Sequence, residues 1–134
     1  PGTCQPGKCD KISEDKMEPE YFRITEDVAK AVNKVKAKKG KIIAVGTTST
    51  KAIESAVDDS GMLNAMEGYS ELFIHPPYRF KIADALLTNF HLPKSTLLML
   101  VSAFTGRELI LKAYCEAVKQ GYRFYSYGDA ILII

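Results

Sequence analysis

The stretch DALLTNFHLPKSTLLMLVSAF at residues 84–104 carries the clearest structural signal in this 134-residue chain. A short apolar run leads into the polar junction TNFHLP at residues 88–93, and a longer apolar run follows. The first run has the length of a buried strand, and the second suits a buried helix that begins near Pro93. The stretch therefore predicts a strand, a polar junction and a buried helix.

Outward from this stretch, short apolar runs alternate with amphipathic segments. Thr25 is a predicted N-cap, and Gly40 is the predicted stop of its helix. The predicted apolar face of that helix has four residues: Val28, Ala31, Val32 and Val35. Further strands are predicted at residues 41–45, 69–75, 80–87 and 130–134, and further helices from about 50 to 57, at 94–104 and at 107–120. In the last helix six residues are expected to face inward: Leu109, Ile110, Ala113, Tyr114, Ala117 and Val118.

This alternation predicts an α/β fold, a layered domain with a largely parallel sheet flanked by helices. Residues 1–20 hold three prolines and many charges, and we predict an extended lead-in or linker there. Residues 21–134 form the predicted α/β domain. The chain begins without Met, so we expect it to be processed or a piece of a longer protein.

Composition and charge limit the function classes. Hydrophobic residues make up 46% of the chain, charged residues 25%, and the formal net charge is +2. These values indicate a globular protein and argue against nucleic-acid binding by bulk charge. Six lysines nevertheless cluster around residues 30–41, where they either contact phosphates or form a solvated helix face: Lys30, Lys34, Lys36, Lys38, Lys39 and Lys41.

The cysteines and the apolar runs bear on compartment. Cys4, Cys9 and Cys115 are a poor disulfide framework, and two histidines in the whole chain make a metal site unexpected. We therefore predict no metal and a reducing, cytoplasmic location. No apolar run is long enough to suggest a membrane partner.

Two polar clusters follow predicted strands and are candidate sites. Residues 45–49, VGTTS, bring hydroxyls and free backbone N–H groups to the start of a helix, which favours an anion or is an ordinary helix cap. Residues 88–96 place Asn, His, Thr, Ser and Lys between two apolar runs. His91 in this cluster is either a general acid or base near neutral pH or a residue that caps the next helix.

Two aromatic segments are also candidates. In residues 77–80, PYRF, Arg79 between two aromatics can stack on a base or hold a carboxylate or phosphate, or the segment is a packed turn with a surface Arg. Residues 122–129, YRFYSYGD, either stack a base and shape a pocket or pack against the last strand.

At residues 84–104 the sequence resembles a signature of the S-adenosylmethionine:tRNA ribosyltransferase-isomerases, enzymes of queuosine biosynthesis. Residues 44–49, 78–80, 106–107 and 122–130 also match this family, so the resemblance extends over nearly the whole chain. Family members are longer and also have a β-barrel domain.

The resemblance implies an unusual reaction. S-adenosylmethionine donates its ribosyl group to 7-aminomethyl-7-deazaguanine in tRNA, which gives epoxyqueuosine and releases adenine and methionine. The implied partners are tRNA and S-adenosylmethionine as co-substrate. Such a reaction needs a base, a donor to the departing adenine and groups that hold the methionine carboxylate.

The site residues that we expect for such a reaction, on the chemistry of their side chains, fall into three groups. The expected catalytic residues are His91 and Asp84. The expected cofactor-binding residues are Thr47, Thr48, Ser49, Thr88, Asn89 and Ser95. The expected substrate-binding residues are Tyr78, Arg79, Phe80 and Arg107.

The sequence departs from the family pattern at three places. Asp15 and Glu18 stand where histidines are usual, Pro77 stands where Gly is usual, and Thr50-Lys51 replaces Val-Arg. Lys cannot bind a carboxylate or phosphate bidentately as Arg does. Two alternatives therefore accompany the enzyme assignment: a non-catalytic nucleotide- or tRNA-binding module, and a divergent α/β enzyme that acts on a free small molecule.

Overall fold

The computed structural model describes residues 18–91 and 95–134, and in them the chain forms two sheets and four helices. The elements in chain order are β1 (Glu20–Ile24), α1 (Glu26–Ala37), β2 (Ile43–Val45), α2 (Thr47–Ala56), β3 (Met66–Ser70), β4 (Ala85–Asn89), α3 (Thr96–Thr105), α4 (Arg107–Lys119) and β5 (Ala130–Ile133). No helix in these two ranges has the length and apolar character needed to cross a membrane.

The α/β class is confirmed, with helices packed on both sheets. One sheet pairs β1 with β3 antiparallel, and the other has the order β2-β4-β5. In this second sheet β2 and β4 are parallel but β5 is antiparallel to β4, so it is mixed rather than largely parallel. The reason is that two helices, α3 and α4, return the chain to the end of β4 from which it left.

β1 was not predicted, although its sequence alternates correctly for a half-buried strand. Phe22 and Ile24 are buried, whereas Tyr21 and Arg23 are exposed. The strand begins at Glu20, which the sequence prediction placed in the lead-in. The other predicted lead-in residues up to 17 lie outside the described part of the chain.

The predicted cap of α1 is confirmed, but the predicted apolar face is only partly right. The Thr25 hydroxyl accepts a hydrogen bond from the Val28 N–H at 3.4 Å. Val28 and Val35 are exposed, whereas Val32 packs against the cluster in which Ala29 is buried. Asn33 lies on the inner side of the helix and exchanges two hydrogen bonds with the Leu63 backbone, at 2.8 and 2.9 Å.

The strands predicted at residues 69–75 and 80–87 lie at different positions in the structure. They are β3 and β4, at Met66–Ser70 and Ala85–Asn89, and the intervening segment is irregular. The irregular segment is nevertheless well packed, since Ile74 and Ile82 are almost fully buried. Apolar periodicity therefore located the buried residues here but not the strand.

α3 and α4 follow the prediction closely. Ser95 caps α3 through a 3.2 Å hydrogen bond from the Leu98 N–H, and Gly106 with φ 87° separates the two helices. α4 buries Ile110, Tyr114 and Ala117 as expected. Leu109 and Val118 were predicted to face inward and are instead more than half exposed, because they lie beside the apolar stripe.

Glu54 is a buried carboxylate that organises the irregular segment. Its Oε1 accepts hydrogen bonds from the N–H groups of Ile82 and Ala83, both at 2.9 Å. Its Oε2 accepts from the Lys81 N–H at 2.9 Å and from the Tyr78 hydroxyl at 3.1 Å. The carboxylate thus replaces the partners that a neighbouring strand would provide for these backbone groups.

We expect Glu54→Gln to lower the free energy of unfolding by about 3 kcal/mol, since an amide nitrogen would face donors where an oxygen now accepts two bonds. Urea denaturation measures this loss. Glu71→Gln is the matched control, because Glu71 is exposed and should change stability little. Equal unfolding midpoints for the two variants would contradict the role given to Glu54.

Candidate functional site

A cavity of about 430 Å³ lies beyond the carboxyl ends of the parallel strands β2 and β4. This edge is where open α/β sheets bind ligands, and the volume is within the range of small-molecule sites. Its lining comes from four segments of the chain: Val45, Gly46, Thr47, Thr48 and Ser49; Thr88, Asn89 and His91; Ser95 and Leu97; Tyr125 and Ser126.

The N-terminus of α2 forms one wall of the cavity. Gly46 precedes the helix with φ 88° and, being glycine, offers no side-chain cap. The N–H groups of the first helical turn have no partner within the helix, and three hydroxyl residues accompany them here. Because the helix dipole is positive at this end, the wall favours an anionic group.

His91 lies on the opposite wall and has a defined orientation. Its Nε2 is 3.0 Å from the hydroxyl of Thr88, which is buried, and its backbone N–H donates to the Tyr114 hydroxyl at 3.1 Å. Partial burial lowers the pKa of His91 from its usual value of 6.5. The imidazole is therefore neutral at pH 7 and can take up a proton or, through its N–H, donate a hydrogen bond.

The segment at residues 122–129 closes the third wall. The Asn89 amide donates to the carbonyls of Gly128 and Asp129, at 3.3 and 3.4 Å. The Tyr125 N–H donates to the Phe90 carbonyl at 2.9 Å, and the Phe90 N–H donates to the Asp129 carbonyl at 3.4 Å. The polar junction after β4 is thus joined to this segment along its length.

Seven predicted site residues line the cavity together: Thr47, Thr48, Ser49, Thr88, Asn89, His91 and Ser95. Five others do not line it: Asp84, Tyr78, Arg79, Phe80 and Arg107. Asp84 precedes β4 and so lies at the end of the sheet away from His91. Its carboxylate accepts a 2.8 Å hydrogen bond from the Ile42 N–H and pairs with Lys36.

The predicted PYRF segment is packed rather than open to the cavity. The Phe80 ring stacks on Phe104 with centroids 3.8 Å apart, and the Tyr78 hydroxyl is engaged by Glu54. Burial and the Glu54 charge raise the pKa of the Tyr78 hydroxyl. Arg79 and Arg107 are exposed. The roles predicted for these side chains in binding substrate stay predictions.

Two further sequence features have structural positions away from the cavity. Lys51, which stands in place of the usual Arg, is buried and forms an ion pair with Glu20 on β1. The Thr50 hydroxyl donates to the Gly46 carbonyl at 3.0 Å. Of the lysines at residues 30–41, Lys36 pairs with Asp84 before β4, at the end of the sheet away from the cavity, and Lys30 pairs with Glu26 on α1. Among the described residues, no three His, Cys, Asp or Glu side chains are grouped as a metal would require.

Leu97 lines the cavity but was not singled out from the sequence, whereas Tyr125 and Ser126 lie in the segment at residues 122–129 that was predicted either to stack a base and shape a pocket or to pack against the last strand. The aromatic density of residues 122–129 was the available signal, and it did not separate core from cavity. The structure separates the two groups, because Tyr122 and Phe124 pack against Phe90, whereas Tyr125 lines the cavity.

Comparison with known proteins supports the resemblance. Residues 1–133 match the family described as queuosine biosynthesis protein. Curated relatives from Desulfitobacterium hafniense and Pelotomaculum thermopropionicum are 49% and 51% identical over 133 residues, and one from Ralstonia pickettii is 53% identical over 132. All three are named S-adenosylmethionine:tRNA ribosyltransferase-isomerase. These matches cover 98–99% of this chain but only 37–39% of each relative.

A solved structure gives the same result. The crystal structure of S-adenosylmethionine tRNA ribosyltransferase from Thermotoga maritima superimposes with a TM-score of 0.75 at 42% sequence identity. The match covers 85% of this chain and 40% of that chain. The resemblance inferred from residues 84–104 is thereby confirmed, and the chain belongs to the queuosine biosynthesis protein family.

Proposed function

We propose that this chain provides the S-adenosylmethionine side of a tRNA ribosyltransferase-isomerase that converts 7-aminomethyl-7-deazaguanine in tRNA to epoxyqueuosine. The observation that carries the proposal is the cavity, where three motifs shared with the family meet at one sheet edge. In the reaction the aminomethyl nitrogen bonds to the ribosyl group, and adenine and methionine leave. We assign the protein to the cytoplasm, where tRNA is modified.

The methionine part of S-adenosylmethionine fits the wall formed by α2. Its carboxylate is an anion, and Thr47, Thr48 and Ser49 offer N–H and hydroxyl donors at the positive end of a helix dipole. The departure from Arg to Lys at Lys51 does not weaken this wall, because Lys51 is directed to Glu20 instead.

His91 is the proposed base. The reaction requires removal of a proton from the carbon beside the positively charged sulfur, and a neutral imidazole at pH 7 is matched to that task. The Thr88 hydroxyl at 3.0 Å fixes the ring, and the Tyr114 hydroxyl fixes the backbone below it. Asn89 and Ser95, on either side of His91, supply polar groups for the ribose hydroxyls.

The principal alternative is a module that binds S-adenosylmethionine or tRNA without catalysis, and the other is an enzyme for a free small molecule. Release of adenine from S-adenosylmethionine by the complete gene product, with tRNA that carries the modified base, tests the enzyme assignment. Adenine release that depends on that tRNA is the expected result. A thermal shift with S-adenosylmethionine but no release would favour the binding module, and release without tRNA would favour the free small molecule.

We expect His91→Gln to lower kcat by on the order of a hundredfold or more, because glutamine fills similar space but cannot take up a proton. The assay is adenine release by the complete gene product at saturating S-adenosylmethionine. His75→Gln is the matched control, since His75 is the other histidine and does not line the cavity. Similar kcat values for both variants would remove His91 from the mechanism.

The lowered pKa of His91 predicts the pH dependence. Since the folded pKa lies below 6.5, His91 stays neutral at pH 7, and kcat/KM should fall only when the pH drops below 6.5. The free energy of unfolding should fall with pH in the same range. Because the unfolded chain binds this proton more readily than the folded one, acidification below pH 6.5 destabilises the fold. In the His91→Gln variant this part of the pH dependence should be absent. A wild-type acid limb centred above pH 6.5 would contradict a buried, neutral base.

A further inference from the structure

Tyr125 has a backbone conformation that tyrosine rarely adopts. Its φ is 73°, in the left-handed region that favours glycine. A β-carbon adds a steric cost to this conformation, so the surrounding structure must impose it. Strained residues of this kind concentrate at functional sites, which makes the position a candidate for a binding role.

The turn that imposes this conformation is held at both ends. Asp129 accepts a 2.7 Å hydrogen bond from the Arg123 N–H and a 3.3 Å bond from the Arg123 guanidinium, and these bonds lower the pKa of its carboxyl group. Gly128 donates to the Tyr125 carbonyl at 2.9 Å, and a β-carbon at Gly128 would overlap the Arg123 and Phe124 carbonyls. The backbone of the turn is therefore preorganised at Tyr125.

The Tyr125 ring has no structural role comparable to those of its neighbours. Phe124 packs against Phe90 and Tyr114, and Tyr122 packs against Phe90. Tyr125 makes no contact with another aromatic ring in the described part of the chain, and it is 57% exposed while lining the cavity. An exposed aromatic ring at the rim of a polar cavity is suited to stacking on a flat ligand.

We propose that Tyr125 is the stacking wall of this cavity and holds a purine-type base of the substrates. The inference rests on the proposed function, which brings two such bases to the site: the adenine of S-adenosylmethionine and the 7-deazaguanine of the tRNA. The Arg123–Asp129 contacts hold the backbone from which the ring extends before either base arrives, which lowers the ordering cost of binding.

Three variants of the complete gene product separate the ring from the backbone. Tyr125→Phe keeps the ring and should retain near wild-type KM values. Tyr125→Ala and Tyr125→Gly remove it and should raise KM for one substrate on the order of tenfold or more. A rise in KM for S-adenosylmethionine identifies adenine as the stacked base, and a rise in KM for tRNA identifies the 7-deazaguanine.

The Tyr125→Gly variant also tests whether the Tyr125 ring has a purely structural role. Glycine accepts a φ of 73° without strain, so the thermal unfolding midpoint of this variant should be no lower than that of the wild type. Tyr69→Ala, an exposed tyrosine on β3 outside the cavity, is the matched control and should leave both KM values unchanged. The proposal is overturned if both KM values of Tyr125→Gly stay within twofold of wild type, or if it loses stability with KM unchanged.

Failure of the proposed function gives a different result. If the wild type releases no adenine, calorimetric titration of wild type and Tyr125→Gly with S-adenosylmethionine and with 7-aminomethyl-7-deazaguanine still measures stacking on either base. Weaker binding of at least one of the two ligands by Tyr125→Gly would support the stacking role without the reaction. Equal binding of both ligands by the two proteins would refute it.

Discussion

The fold depends on one buried carboxylate, that of Glu54. α2 contacts strands of both sheets, and Glu54 extends this contact to the irregular segment before β4. Ile82 and Ala83, whose N–H groups it binds, belong to different hydrophobic clusters, one around β1 and α1 and the other around β4, α3 and α4. The same helix presents its first turn to the cavity. The carboxylate therefore fixes where β4 begins relative to α2, and hence where the junction after β4 lies relative to the helix N-terminus.

Much of the site followed from the sequence because it depends on local rules. Residues 47–49 and 88–91 each follow an apolar run, and parallel strands bring such positions to one edge of a sheet. The lowered pKa of His91 required more, namely its partial burial, and its fixed ring required the Thr88 hydroxyl nearby. Tyr114, which binds the His91 backbone, is 23 residues away along the chain, and the packing of its ring against Phe90 brings it close.

Two of the errors involve contacts between distant polar groups. Asn33 faces Leu63 and binds its backbone where an apolar face of α1 was expected, and Glu54 binds the N–H groups of the strand expected near residues 80–83. Neither residue is conspicuous, since Asn and Glu are common in exposed helix positions. Asp84 does not line the cavity, and its carboxylate accepts a hydrogen bond from the Ile42 N–H, so its catalytic role stays a prediction. Periodicity records which residues avoid water, and it carries no information on which polar groups find one another.

Phe90 has a consequence for how the two substrates of the proposed reaction affect each other. Its N–H and its carbonyl are both bonded to the Tyr125–Asp129 turn, and His91 follows it directly. The backbone of the turn is therefore joined to the backbone at His91 through Phe90. If one substrate removes the motion that remains in the turn, the second meets a more ordered backbone at His91 and loses less conformational entropy on binding. By thermodynamic linkage the effect is mutual, so that each substrate raises the affinity for the other without any large conformational change.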